Sequence, residues 1–162
     1  MRKTQTAILL ILAAFAAGAA EAQRGMAFHG WGLRGGVSDR PDQLLVGVQA
    51  DFGELIENLR FMPNVELGVG DDQTILSLSA PVFYHWPERG QFDFYAGGGI
   101  ALGLVDRDEA DEPGEDDGIE LVIAPTIAGG LAWPVGQSEA GIELALSANE
   151  LQNAKLIFRW MF

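Results

Sequence analysis

The last ten residues, Asn153 to Phe162, read NAKLIFRWMF. Successive side chains of an extended strand alternate sides, so Ala154, Leu156, Phe158, Trp160 and Phe162 share one face, and Lys155, Ile157, Arg159 and Met161 the other. One face is oily and aromatic, while the other carries two cations. With Phe162 as the last residue, a carboxylate follows directly on the oily face. In a water-soluble core that charge would be drawn inward, whereas at a membrane interface it sits in water beside rings that favour the boundary. The expectation from this strand is a chain whose oily side faces lipid.

The same alternation recurs upstream. Eight segments can be drawn, at 26–37, 43–53, 58–69, 73–86, 91–106, 119–133, 139–147 and 153–162. The fifth is the plainest: Phe92, Phe94, Ala96, Gly98, Ile100, Leu102 and Leu104 fall on one side, against Asp93, Tyr95, Gly97, Gly99, Ala101 and Gly103. Its twelve steps of about 3.3 Å, tilted near 45°, cover roughly 28 Å, close to the ~25 Å apolar band of an outer-membrane barrel. Folded up and down, the segments bring Phe28, Trp31, Phe52, Phe61, Tyr84, Trp86, Phe92, Phe94, Trp133 and Trp160 to one rim. Rings gathered at a rim form an interfacial girdle, whereas a soluble core would bury them in mid-strand. The opposite faces collect Arg34, Arg60, Lys155 and Arg159 with Asp51, Glu66, Asp93, Glu120 and Glu143, a near balance of signs in an acidic chain. Charges inside a narrow barrel must pair, since unpaired charge in a low-dielectric lumen is costly. Asp51 is expected beside Arg60, Glu143 near the level of Arg159, and His85 beside Asp93.

Composition narrows the class further. Met1 to Ala22 has a basic start (Arg2, Lys3), an apolar run from Ala7 to Phe15 and a small-residue site at Ala20-Glu21-Ala22, which reads as a cleavable secretory signal. Residues 23–162 are then one domain. That part holds no apolar run of about 20 residues, which leaves a closed barrel as the way to cross lipid. The chain has no cysteine, so an exported protein of this size must hold together without disulfides. A net charge of −13 argues against nucleic acid as a partner. The expected fold is therefore all-β: a closed, antiparallel, up-and-down, eight-stranded transmembrane β-barrel. Its links at the aromatic rim, Gly53 to Glu57, Pro87 to Gly90 and Pro134 to Ser138, are short, and only Arg107 to Gly118 at the other end is long.

With its signal sequence, eight alternating segments, charged lumen and terminal Leu156-x-Phe158-x-Trp160-x-Phe162, the chain resembles the small outer-membrane barrels of the OmpA and OmpX type. The resemblance implies residence in the bacterial cell outer membrane, lipid as the surrounding partner, and a monomer. It further implies periplasmic chaperones and the barrel assembly machinery as biogenesis partners, with Phe158, Trp160 and Phe162 as the assembly signal.

Other chemistries are weaker fits. A lipid A-modifying enzyme would need a histidine and a serine at the outer leaflet, but His29 and His85 fall at the aromatic rim, and no catalytic residue is assigned. Asp106, Asp108, Asp111, Glu112, Glu115, Asp116 and Asp117 offer hard oxygen ligands, yet their spacing fails the calcium-loop pattern, with Ala110 where a third ligand belongs. A solvated acidic loop is the reading adopted, and no metal or cofactor is expected. A bore of eight strands is filled by side chains, which argues against an open channel. The principal rival is a soluble periplasmic, lipocalin-like barrel with its oily face inward, holding an apolar ligand.

Overall fold

The computed structural model describes residues 27–70, 73–86, 91–107, 119–148 and 151–162. The strands are β1 (Gly30–Asp39), β2 (Gln43–Asp51), β3 (Glu54–Ile56), β4 (Leu59–Phe61), β5 (Asn64–Val69), β6 (Gln73–His85), β7 (Asp93–Arg107), β8 (Glu120–Val135), β9 (Ser138–Ser147) and β10 (Ala154–Met161). Each barrel strand pairs antiparallel with its sequence neighbour, and β10 closes on β1 with Gly32 opposite Met161 and Asp39 opposite Ala154. The ring runs β1-β2-β5-β6-β7-β8-β9-β10 and returns to β1, which is a closed eight-stranded barrel.

β3 and β4 form a hairpin that prolongs the wall beyond this ring. Gly53 to Glu57, read above as a turn, is therefore mostly strand. The reversal falls at Glu57-Asn58, where Asn58 adopts a left-handed φ of 63°, a conformation asparagine tolerates better than most residues. The expected strand 58–69 is interrupted between β4 and β5 because Pro63 has no N–H to give a ladder. Pairing continues around the break through Met62 N–H to Pro81 O and Ala50 N–H to Pro63 O. The last short link is also tighter than Pro134 to Ser138: Pro134 and Val135 stay paired with Glu139 and Ser138. The turn is Gly136-Gln137, with Gly136 at φ 66°. The expected signal sequence, Met1 to Ala22, lies outside the described residues.

The orientation of the strands decides what the barrel is. On β10, Lys155, Ile157, Arg159 and Met161 are buried, while Leu156 and Phe158 stand about half exposed on the outer surface. Leu44, Val46 and Val48 on β2, Ile100 and Leu102 on β7, Leu121, Ile123 and Ile127 on β8, and Ile142, Leu144 and Leu146 on β9 are likewise exposed. Arg159, Glu66 and Glu143 are at most 2% exposed. Such a surface would be untenable in water, because exposed apolar patches larger than a few hundred Å² are rare on soluble monomers. It is the dressing of a transmembrane barrel, and the inward-facing oily lumen of the lipocalin-like alternative is reversed here.

Two glycines of β7 leave no room for a side chain against β6. A Cβ on Gly97 would collide with the carbonyl of Val82, and one on Gly99 with that of Ala80. Gly97→Ala is expected to push the two strands apart and lower the urea midpoint in detergent, at a cost of about 1–3 kcal/mol typical of overpacking. An unchanged midpoint would show that the strands can separate freely.

Candidate functional site

The barrel interior is the chemically distinctive region, and it is layered. Its middle is an ionic belt. Arg34 on β1 donates from Nε to Glu66 Oε1 (2.7 Å), from Nη1 to Gln49 Oε1 (2.5 Å) and from Nη2 to Glu143 Oε1 (2.7 Å). Lys155 Nζ donates to Glu66 Oε2 at 2.6 Å, and the Tyr95 hydroxyl to Glu143 Oε2 at 3.1 Å. Two cations thus face two carboxylates, so the belt carries no net charge, and its members come from β1, β2, β5, β7, β9 and β10. Arg34, Glu66 and Glu143 are each held from more than one side, which is what makes burial of their charge tolerable.

Apolar layers flank the belt. Toward the end with the short links lie Met62, Phe83, Tyr95, Ala132 and Met161. Toward the other end lie Ile75, Ala101, Val105, Ala124 and Leu151. Leu45, Ala145 and Ile157 fill the level between. The charges expected in the lumen are thus interleaved with apolar layers, because Ile75, Phe83, Val105 and Ile157 also carry the inward parity.

At the short-link end the lumen opens as a cup of about 620 Å³, floored by Met62, Ala132 and Met161 and rimmed by Asp51, Arg60, Asp93 and Glu139. Two further ion pairs and a histidine–carboxylate contact stand there. Asp51 pairs with Arg60 while its Oδ1 accepts from Gly53 N–H at 2.7 Å. His85 Nδ1 and Asp93 Oδ2 lie 2.6 Å apart. Arg159 Nη2 donates to Glu139 at 2.9 Å, and its guanidinium lies 4.3 Å over the Tyr95 ring.

Two expected placements change. Glu143 does not meet Arg159. It stands opposite Ile157, and Arg159 stands opposite Gly141, so a two-residue offset gives Glu143 to Arg34 and leaves Arg159 to Glu139. Glu120 has the inward parity but opens β8, opposite Val105, where it is exposed at the mouth and outside the belt. Glu139, Tyr95 and Gln49 are the partners that the charge count passed over. Their parity was available, but a register is needed to reveal their roles.

The rings of the girdle occupy the rim around the cup, at the starts or ends of their strands. Phe28 packs on Phe52 at 6.1 Å, Phe52 on Phe61 at 6.0 Å, Trp31 on Phe162 at 4.7 Å, Tyr84 on Trp86 at 5.4 Å and Phe92 on Trp133 at 6.5 Å. Phe94 is half exposed on the same side, opposite Leu131, and Trp160 lies opposite Leu33. Phe158 sits deeper in the wall, opposite Gly35. Of the acidic loop only Asp106 is described, and it is exposed. Asp108, Asp111, Glu112, Glu115, Asp116 and Asp117 lie outside the described residues.

No protein-family model matches the sequence, and no curated protein matches it either. Solved structures do match in shape. The de novo designed TMB2.3 aligns with a TM-score of 0.53 at 13% identity, over 86% of this chain and 96% of that one. Neisserial surface protein A (NspA) aligns at 0.53 and 15% identity, over 82% and 90%. The outer membrane enzyme PagL aligns at 0.52 and 11% identity, over 82% and 97%. At such identities the likeness is one of fold, shared by a designed barrel, a surface protein and an enzyme alike. The chain has the fold of the small eight-stranded outer-membrane β-barrels.

Proposed function

We propose that the protein is an integral barrel of the bacterial outer membrane with a structural, envelope-stabilising role, and that its lumen does not conduct solutes. The observation that carries this reading is the pairing of an outer wall of half-exposed aliphatic side chains with a waist of fully buried, mutually neutralised charges. A structural part needs a rigid interior, and a belt tying six strands together supplies one. A conducting pore would instead need a continuous wet path, which Arg34, Tyr95 and the apolar layers occupy. The monomer is surrounded by outer-membrane lipid, and during biogenesis the periplasmic chaperones and barrel assembly machinery read the strand ending in Phe158, Trp160 and Phe162.

The test is fractionation. The protein is expected in the outer-membrane fraction, to require detergent for extraction, and to migrate faster on a gel unboiled than boiled. Purified into a planar bilayer, it is expected to give no steady conductance. Extraction by salt alone, or a persistent open current, would overturn the reading.

A further inference from the structure

The hairpin of β3 and β4 contains an irregularity that decides which way one side chain points. Glu54 stands opposite Arg60 and Ile56 opposite Leu59, so β3 holds one residue more than the stretch it faces. Regular alternation would put Ile56 on the same side as Glu54. The extra residue reverses this. Glu54 keeps the inner side, lining a chamber with Arg60, His85 and Asp93, while Ile56 joins Leu59 on the outer side. Ile56 is 67% exposed, and Leu55 beside it is 43% exposed.

That outer face is continuous with the lipid-facing wall. Leu59 stands opposite Tyr84 and Phe61 opposite Val82, and all four carry the outward parity of their strands. From Ile56 the surface runs through Leu59 and Phe61 to Val82 without meeting a charged side chain. Exposed apolar patches that serve protein partners are rimmed by polar residues. Here the polar neighbours, Glu57 and Asn58, stand only at the tip, and the side toward the barrel has no such rim. The patch is therefore an extension of the surface that lipid already covers.

We propose that the β3–β4 hairpin is a lipid-contacting element, lying in the membrane interface with Leu55 and Ile56 against the acyl boundary. It does not stand free in the water beyond the girdle. An apolar face beside an acidic tip suits that boundary, because the aliphatic groups enter lipid while Glu57 remains among headgroups and water. The inference rests on the membrane reading given above, and adds to it a contact beyond the ring of eight strands.

The chain has no cysteine, so single substitutions can each carry one nitroxide label. Ile56→Cys, Leu55→Cys and Glu54→Cys would be labelled and folded into phosphatidylcholine vesicles, with folding checked by unboiled gel migration. Collision rates would be measured with oxygen, which concentrates in lipid, and with a neutral nickel chelate, which stays in water. Ile127→Cys on the outer wall gives the lipid reference, and Arg40→Cys, exposed in a link at the other end, the water reference. The oxygen-to-nickel ratio at Ile56 and Leu55 is expected to exceed that at Arg40 by about fivefold or more, with Glu54 close to the Arg40 value. A water-like ratio at Ile56 would overturn the proposal, and Leu55→Cys carries the same test should Ile56→Cys not fold. A lipid-like ratio at Glu54 would overturn it too, since the label and not the face would then be seeking the membrane. Spin–spin broadening at high lipid dilution would show a second copy on the hairpin, with the same consequence. A water-like ratio at Ile127 would instead overturn the membrane reading itself.

Discussion

Arg34→Met is expected to leave little folded barrel. The side chain is 3% exposed and donates to three acceptors on three other strands, Glu66, Gln49 and Glu143. Removing it leaves Glu143 with only the Tyr95 hydroxyl and turns a neutral belt into one with an excess negative charge. Breaking a buried pair from one side costs about 3–5 kcal/mol, because the surviving charge is stranded where water cannot reach it. Against a total stability of about 5–15 kcal/mol, that is a large share. The measurement is the urea midpoint in detergent, together with the fraction of fast-migrating unboiled protein. Arg34→Met/Glu143→Gln should recover part of the loss, since Glu66 and Lys155 still form a neutral pair and no orphan charge remains. A single variant as stable as the parent would show that the belt contributes no net stability.

Ile127→Arg is expected to cost about 2–4 kcal/mol in a bilayer, the penalty of a cation on the lipid face near the midplane. Ile127 is 62% exposed, opposite Gly98 on β7 and Leu146 on β9. At an exposed site in water the same change would fall within about 0.5 kcal/mol of neutral. Stability measured in lipid vesicles therefore reports directly what the wall touches. A neutral result would mean that this face meets water, and the transmembrane assignment would fail with it.

Much of this was legible in the sequence because a barrel wall has period two. Once Arg159 and Lys155 were placed on one parity of the last strand and Leu156, Phe158 and Trp160 on the other, every segment could be sorted into lipid side and lumen side. The girdle followed from strand order alone. Parity, however, gives the face and not the height. Glu143 and Arg159 share a face, but their partners depend on a register that puts Gly141, and not Glu143, across from Arg159. Nor does parity reach past strand ends, so the hairpin around Asn58 and the inward turn of Leu151 and Gln152 left no periodic trace. Ile75, Phe83 and Val105 were readable as inward residues, but attention to charge hid the apolar layers they build.

The rings on the described strands gather at the cup end, and the opposite rim is aliphatic there, ending in residues such as Val37, Val69 and Leu146. Trp and Tyr prefer the headgroup level, so one plane of the molecule is pinned while the other is free to slide against the acyl chains. A thinner or thicker bilayer is then met by small changes of tilt about the pinned plane, at a fraction of a kcal/mol per Å of mismatch. The asymmetry makes the barrel an anchor with a compliant far end, able to keep its depth as lipid composition varies.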